Sequence, residues 1–350
     1  MQIQEMLTHA VQQGASDLHL SAGLLPRLRI DGSLQTVGEQ VLTHEQIAAM
    51  VAGIMNSHQR EHFAQTLEAD FSYEVPGVSR FRVNAFHQLR GMSVAFRAIP
   101  SQVPSLSDLQ APEVFADFAL RPRGLVLVTG PTGSGKSTTL AAMLNELNRS
   151  QAKHVLTIED PIEFVYQPER CLINQREVGG QTLSFSSALR AAMREDPNVI
   201  LVGEMRDLET IRLAITAAET GHLVLATLHT SGAAKAIDRI IDVFPGDEKS
   251  VVRSMLSESL TAVISQVLCK RQDGPGRVAA YEIMVGNTAV RNLIRESKVA
   301  QLYSAMQTGS NVGMQTLDQA LTRLLQQGKI SKEEAAAKAR YPENFGLRET

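Results

Sequence analysis

The sequence predicts an α/β protein in two parts: a small α+β domain, then a larger domain that has a parallel sheet and ends in helices. Three observations predict this fold class. Short helix-like and strand-like patterns fill the first hundred residues, prolines then interrupt both periodicities, and beyond them apolar strands alternate with helices. A chain of 350 residues also exceeds the roughly 100–200 residues of one typical domain. We therefore expect two domains, each large enough to bury a core.

The N-terminal domain is predicted from the spacing of its apolar residues. A helical pattern covers residues 2–13 and ends at Gly14, and the capping-box pair Thr43 and Gln46 predicts a second helix over 44–55. Alternating apolar and polar residues predict half-buried strands around these helices. The strands are residues 17–21, 27–30, 71–75, 81–86 and 92–97, with turns at Asp31-Gly32 and Pro76-Gly77. We assign residues 1–100 to this domain.

A proline-rich stretch separates the two domains. Pro104 and Pro112 stand in a region without clear periodicity, which predicts a linker over 101–120. The second domain, 121–350, begins with short strands that are apolar on both faces, as strands covered by helices on both sides should be. They are residues 125–128, 154–158, 199–202 and 223–228. Beyond residue 285 the pattern is helical, over 288–295, 299–307, 314–327 and 332–339.

Composition excludes several classes of protein. Charged residues make up 20% of the chain and the net charge is −3, so there is no global attraction to nucleic acid or to an anionic membrane. The two cysteines, Cys171 and Cys269, stand far apart, which argues against a zinc ribbon or a disulfide framework and favours a reducing, cytoplasmic compartment. No apolar run reaches the ~18 residues that span a bilayer, and the N-terminus lacks a signal-peptide pattern. We expect contact with a membrane only through partner proteins.

A glycine-rich segment between an apolar strand and an apolar helix matches the phosphate-loop pattern G-x-x-x-x-G-K-[ST]. In such a loop, glycines let backbone N–H groups point inward, and the helix N-terminus adds partial positive charge. Lys136 supplies a full positive charge, and Ser137 offers its hydroxyl to Mg²⁺. The predicted nucleotide-binding residues are Gly130, Pro131, Thr132, Gly133, Ser134, Gly135, Lys136, Ser137 and Thr138. The segment predicts binding of a nucleoside triphosphate.

Carboxylates follow two of the later strands, where an ATPase needs them to hold Mg²⁺ and to orient the attacking water. The first group is Glu159, Asp160 and Glu163, and the second is Glu204, which ends an apolar strand in the manner of a Walker B segment. We predict that Glu204 binds Mg²⁺, directly or through water, and that Glu163 polarises the water; the reverse assignment stays open. The alternative is a pair of solvated acidic turns.

Two histidines flank the last of these strands, and two arginines in the N-terminal strands are placed so that both side chains could point to one face of the sheet. His229, at the carboxyl end, is placed to contact the γ-phosphate, whereas the placement of His222 is less direct. Their spacing puts them on opposite strand faces, so a shared metal site is not expected. Arg82 and Arg97 suit a phosphate supplied from outside their own domain. The alternatives are structural histidines and solvent-exposed strand arginines.

Together these motifs resemble one family, the secretion ATPases of type II secretion systems and type IV pili. The resemblance spans nearly the whole chain. Residues 15–20 resemble the family's N-terminal signature, 130–138 its Walker A motif, 157–164 its acidic Asp box, 199–204 its atypical Walker B motif with glutamate, and 220–230 its His box. The combination is far more specific than any one motif.

Within the family, the chain resembles the pilus retraction ATPases. Residues 289–296 closely resemble their C-terminal AIRNLIRE motif, with Val290 in place of the usual isoleucine. Read from the residues alone, this segment is a short amphipathic helix with Val290, Leu293 and Ile294 inward. Extension and type II secretion ATPases usually carry an extra N-terminal domain and a four-cysteine zinc site, and this sequence has neither the length nor the cysteines.

The resemblance implies a PAS-like first domain, a RecA-like second domain and a homohexameric ring that binds ATP and Mg²⁺ at domain interfaces. It also implies that Arg82 and Arg97 stabilise the negative charge that develops on the γ-phosphate. The expected function is an ATP-hydrolysing motor that retracts the pilus and supports twitching motility. The expected location is cytoplasmic, peripheral at the inner-membrane pilus base. Its partners there would be a platform protein and other pilus-base components.

Three alternatives stay open. The first is another ATPase of the same family, either a retraction paralogue or a secretion or assembly ATPase. The second is a nucleotide-gated assembly module whose hydrolysis is incidental, although the complete set of loop and acidic residues argues against a degenerate site. The third is a DNA-translocating motor, which no concentrated basic stripe supports, so we expect no nucleic-acid partner.

Overall fold

The fold is taken from a computed structural model that describes residues 2–30, 33–99 and 102–346. The chain forms two compact units. The first consists of Met1–Gln102 together with Pro161–Val165, and the second of Val103–Asp160 together with Tyr166–Thr350. The domain boundaries expected from the sequence, and the linker over 101–120, stay predictions.

The first unit is built on a six-stranded antiparallel sheet in the order β3-β2-β1-β6-β5-β4. Its strands are β1 (Asp17–Ser21), β2 (Arg27–Ile30), β3 (Ser33–Thr36), β4 (Glu68–Val75), β5 (Ser79–Gln88) and β6 (Gly91–Ile99). Its helices are α1 (Ile3–Gln12), α2 (His44–Ile54) and α3 (Ser57–Thr66). Alternate strand residues, including Leu18, Phe81 and Phe96, form its apolar core with residues of α1 and α2.

Most predicted elements of this unit are confirmed. The capping box is present, since the Gln46 amide N–H donates to Thr43 Oγ1 and the Thr43 amide N–H donates to Gln46 Oε1. The predicted turn at Asp31-Gly32 lies outside the described residues. Helix α3 was not predicted because it has no apolar stripe: each of its ten described residues stays at least partly exposed.

The second unit is built on a seven-stranded sheet in the order β13-β12-β7-β11-β10-β8-β9. Its strands are β7 (Gly124–Thr129), β8 (His154–Glu159), β9 (Leu172–Glu177), β10 (Val199–Val202), β11 (Leu223–Leu228), β12 (Leu260–Lys270) and β13 (Arg277–Val285). All neighbouring pairs are parallel except β12 with β13. Strands β7, β10 and β11 are buried along their whole length, which confirms the interpretation of the apolar runs as strands covered on both faces.

Helices cover this sheet and form the C-terminal portion. They are α4 (Val114–Ala119), α5 (Lys136–Ser150), α6 (Phe185–Ala192), α7 (Leu208–Glu219), α8 (Ala233–Asp242), α9 (Lys249–Ser259), α10 (Thr288–Arg295), α11 (Leu302–Thr308), α12 (Leu317–Gln326) and α13 (Lys332–Lys338). Within the predicted linker, α4 buries Phe115, whose ring meets that of Tyr281 edge-on at 5.0 Å. The helix expected to start at residue 314 begins later, because Gln315 pairs with Ile283 as an isolated β-bridge.

The segment that resembles the retraction motif is helix α10, as the sequence predicts. Val290 and Ile294 are fully buried and Leu293 is half-buried against the same core. Asn287 caps the helix by accepting a hydrogen bond from the Val290 amide N–H. Of the helices in the described ranges, none has both the length and the apolar character needed to cross a bilayer.

Candidate active site

The predicted phosphate loop connects the carboxyl end of β7 to the first turn of α5. Gly130, Gly133 and Gly135 all have positive φ, at 145°, 77° and 88°. At Gly130 only glycine fits, because a Cβ would lie 2.4 Å from the backbone oxygen of Gln266 and 2.6 Å from Ser134 Oγ. The loop therefore has the left-handed turns and the close backbone approach that a phosphate-binding loop needs.

Lys136 starts helix α5 and folds back over the loop. Its Nζ donates to the backbone carbonyls of Gly130, at 3.0 Å, and Pro131, at 3.1 Å, and the residue is 8% exposed. Ser137 and Thr138 are half-buried in the same turn. A buried ammonium group is thus held beside the helix N-terminus, where both charges favour an anion.

Gln266 on β12 braces the loop, and this residue was not predicted from the sequence. Its Nε2 donates to the Ser134 carbonyl at 2.5 Å and its Oε1 accepts from Thr139 Oγ1 at 2.8 Å. Gln266 is 1% exposed, so both bonds are shielded from water. The sequence did contain one signal for this role: Gln266 is a glutamine inside an apolar run, and a buried amide needs hydrogen-bond partners.

Glu204 follows β10 and lies between a guanidinium and an imidazole. Arg206 approaches one carboxylate oxygen at 2.7 Å and His229 Nε2 approaches the other at 3.2 Å. Burial alone would raise the pKa of Glu204, but Arg206 and His229 together outweigh it and hold that pKa below its usual value. Glu204 is therefore ionised at neutral pH. Arg206 was not predicted from the sequence, because a single arginine after a strand carries no distinctive pattern.

The ends of β8, β10 and β11 are tied together beside Glu204. The Gly203 amide N–H donates to the Ile158 carbonyl at 2.8 Å, and Thr227 Oγ1 donates to the Gly203 carbonyl at 2.5 Å. Glu159, which ends β8, is 7% exposed and accepts from Thr157 Oγ1 at 2.7 Å. These bonds fix the backbone that carries Glu204 and His229 at the carboxyl edge of the sheet, the edge from which the phosphate loop also leaves.

Glu163 and His222 are placed differently from Glu204 and His229. Glu163 is exposed and belongs to the segment 161–165, which groups with the first unit. His222 precedes β11, and its backbone carbonyl accepts from the amide N–H of Gly124 at the start of β7. Its ring Nδ1 lies 3.0 Å from the Ala217 carbonyl. The structure therefore does not bring His222 to the phosphate-loop edge of its own sheet.

Arg82 and Arg97 lie directly opposite each other on β5 and β6, so they share one face of the first unit's sheet. Arg97 Nε donates to Asp17 Oδ1 at 2.9 Å, while 70% of the Arg97 side chain stays exposed. Asp17 is itself only 6% exposed. Arg82 makes a two-pronged ion pair with Asp70, and both side chains are about 40% exposed. The prediction that Arg82 and Arg97 share one face of the sheet is confirmed.

The phosphate-loop edge has a donor set that fits a bound nucleotide and Mg²⁺. Besides Lys136 and the loop amides, it carries the buried hydroxyls of Thr129, Ser134 and Thr230, and within the described part of the chain none of these three oxygens has a hydrogen-bond partner. Hydroxyl and carboxylate oxygens are the ligands that Mg²⁺ prefers alongside phosphate. A cavity of about 220 Å³ adjoins Gly135 and Thr138.

The chain is similar in sequence to a protein family and to known proteins of type IV pili. Residues 1–274 match the model of the family described as Type II/IV secretion system protein. The chain is 63% identical to the type IV pilus retractation ATPase PilT of Pseudomonas aeruginosa, over 99% of this chain and 100% of that protein. It is 60% identical to a twitching motility protein of Neisseria gonorrhoeae, over 92% of this chain and 86% of that protein.

A solved structure agrees with these relatives. The crystal structure of the pilus retraction motor PilT with bound ADP superposes with a TM-score of 0.91 at 46% identity, and 98% of each chain is covered. These findings confirm the predicted family, the predicted fold class and the prediction of a pilus retraction ATPase. The chain belongs to the Type II/IV secretion system protein family.

Proposed function

We propose that this chain is an ATP-hydrolysing motor that powers retraction of type IV pili, and that it works as a homohexamer. The observation that supports hydrolysis best is the ionised Glu204 beside His229, at the same sheet edge as a loop that buries Lys136. The retraction motor with bound ADP, similar over 98% of both chains, supports nucleotide binding. The relatives from Pseudomonas and Neisseria support pilus retraction and twitching motility as the output.

The phosphate loop and the groups beside it hold the triphosphate in this proposal. The amides of the loop donate to phosphate oxygens, and Lys136 exchanges its two carbonyl partners for phosphate oxygens when the nucleotide binds. Ser137 and Glu204 would hold Mg²⁺, which neutralises charge on the phosphates. His229, through its contact with Glu204, orients that carboxylate and meets the γ-phosphate. The cavity beside Thr138, which Leu268 also lines, would hold the nucleoside.

Three further residues complete the site in this proposal. Glu163 polarises the attacking water, and Arg82 and Arg97 are donated by a neighbouring subunit to stabilise charge on the γ-phosphate. The guanidinium of Arg97 supports this role because a buried carboxylate anchors it at Nε while 70% of the side chain stays exposed. His222 would contribute away from the phosphate loop of its own chain, because it lies at the opposite end of β11 from His229. The motor acts in the cytoplasm on an inner-membrane platform protein at the pilus base.

Hydrolysis is tested with Glu163→Gln and Lys136→Ala. Glu163→Gln should abolish steady-state ATP hydrolysis yet leave ATP bound, whereas Lys136→Ala should lose both. Unchanged hydrolysis in Glu163→Gln would show that Glu163 is not the catalytic carboxylate, and would favour Glu204 in that role.

Retraction is tested by complementation of twitching motility in a retraction-deficient strain, with Lys136→Ala as the control. Restored twitching that depends on Lys136 supports a retraction motor. Failure of an expressed, hydrolysing protein to restore twitching would favour another ATPase of the family.

A further inference from the structure

We propose that Ser265 and Gln266, neighbours on β12, are positioning residues that hold the phosphate loop and the His229 loop (residues 229–232) in the arrangement needed for hydrolysis. The proposal rests on the proposed function, since it concerns the same site. Neither residue belongs to the phosphate-loop, acidic or histidine motifs. Both act through other residues, so the expected effects differ from those of a residue that touches the nucleotide.

The side chain of Gln266 hydrogen-bonds both to the phosphate loop and to helix α5, which follows the loop. Its amide joins the Ser134 carbonyl, inside the loop, to the Thr139 hydroxyl, one turn into α5. Ser134 and Thr139 are 3% and 1% exposed. Because these groups cannot turn to water, breaking the bridge leaves buried polar atoms unpaired and lets the loop change shape.

Ser265 supports the other loop from the opposite face of the strand. Successive side chains of a strand point to opposite faces, so the neighbour of Gln266 faces away from the phosphate loop. Ser265 Oγ accepts from the Gly232 amide N–H at 2.9 Å. Glu282, paired with Ser265 on β13, accepts from the next amide N–H, that of Ala233, at 2.7 Å. These two bonds anchor the end of the His229 loop.

The position of β12 explains why one strand reaches both loops. Ser265 pairs with Thr129, the last residue of β7, so Gln266 stands beside the point where the phosphate loop begins. The backbone oxygen of Gln266 is also the atom that would lie 2.4 Å from a Cβ at Gly130. Strand β12, bonded to β7 on one side and to β13 on the other, thus sets the separation of the two loops.

Substitution of Gln266 should change the Kd for ADP, whereas substitution of Ser265 should change kcat. Gln266 shapes the loop that binds phosphates, so its loss should weaken nucleotide binding. Ser265 holds the loop that carries His229, the partner of Glu204, so its loss should slow hydrolysis while binding is kept. A residue that merely stabilises the fold would produce neither pattern selectively.

The test uses the full-length protein, isothermal titration with ADP and Mg²⁺, and steady-state ATP hydrolysis. Gln266→Met, which keeps size but removes both bonds, should raise the Kd for ADP about tenfold. Ser265→Ala should lower kcat at least fivefold with the Kd for ADP changed less than twofold. If Gln266→Met does not fold, Thr139→Val should weaken ADP binding about threefold, and Thr139→Ser should restore it.

The matched control is Gln315→Met. Gln315 is also a buried glutamine, 8% exposed, and its Nε2 donates to a backbone carbonyl, that of Tyr281, at 2.9 Å. It should lower the melting temperature without changing the Kd for ADP. Equal effects of Gln315→Met and Gln266→Met on that Kd, or a fall in kcat for Ser265→Ala matched by an equal loss of binding, would overturn the proposal. Wild-type protein that binds no ADP, or Lys136→Ala that binds it normally, would instead overturn the proposed function.

Discussion

Gly130→Ala tests the close approach between the phosphate loop and β12. The new Cβ would lie 2.4 Å from the backbone oxygen of Gln266 and 2.6 Å from Ser134 Oγ, about 1 Å closer than an ordinary van der Waals contact. One of these obstacles is backbone within a sheet, so it cannot rotate away. Overpacking and backbone strain together should cost about 2–5 kcal/mol of the free energy of unfolding.

Gly133→Ala is the matched control in the same loop. Gly133 also has positive φ, 77°, but a Cβ there meets nothing within 4 Å. Only backbone strain remains, about 1–2 kcal/mol. The difference of about 2 kcal/mol should lower the melting temperature of Gly130→Ala about 4–8 °C below that of Gly133→Ala.

Differential scanning calorimetry without nucleotide measures this difference. Gly130→Ala should also bind ADP more weakly than Gly133→Ala, because relief of the contact moves the loop away from β12. Equal melting temperatures for the two variants would refute the reasoning, since they would show that β12 does not stand against the loop as described.

Three further predictions concern single groups. Glu204→Gln should lower the free energy of unfolding at pH 7 by about 1–2 kcal/mol; because the folded-state pKa of Glu204 is depressed, this loss should shrink as pH falls below the ordinary value of 4.5, and urea titrations that show no such shrinkage would contradict it. Asp17→Asn should lower ATP hydrolysis several-fold with the oligomer intact, because Arg97 loses the buried charge that orients it; disassembly on a sizing column would instead mark the pair as structural. Burial raises the pKa of Cys269 to about 11 and also raises that of Cys171, so a thiol reagent at pH 8 should label neither residue until the protein is denatured.

Much of the fold followed from local pattern, and the exceptions have physical causes. The central strands were predicted because both their faces are apolar, which only burial on both sides explains. Strand β9 was missed because it is an edge strand, paired on one side only, and exposes residues such as Leu172. Strand β3 was missed because every residue in it is exposed, so no alternation marks it.

The candidate site divides in the same way. The loop at Lys136 was predictable because its glycines, lysine and hydroxyl are consecutive, and the carboxylate of Glu204 was predictable because it ends an apolar strand. The partners of these groups come from elsewhere in the chain: Gln266 lies more than a hundred residues beyond the loop that it braces, and His229 reaches Glu204 from the next strand of the sheet. Nothing in the local sequence states such pairings.

The sequence by itself determined the family and predicted the phosphate loop and the carboxylate of Glu204, because each motif is a short run of residues whose chemistry depends on spacing along the chain. Only the tertiary structure decided which side chains hold those groups. Sheet order places β12 beside β7, and hence Gln266 against the loop, and it places β11 beside β10, and hence His229 within 3.2 Å of Glu204. Register and strand order arise from packing of the whole unit, which no short segment contains.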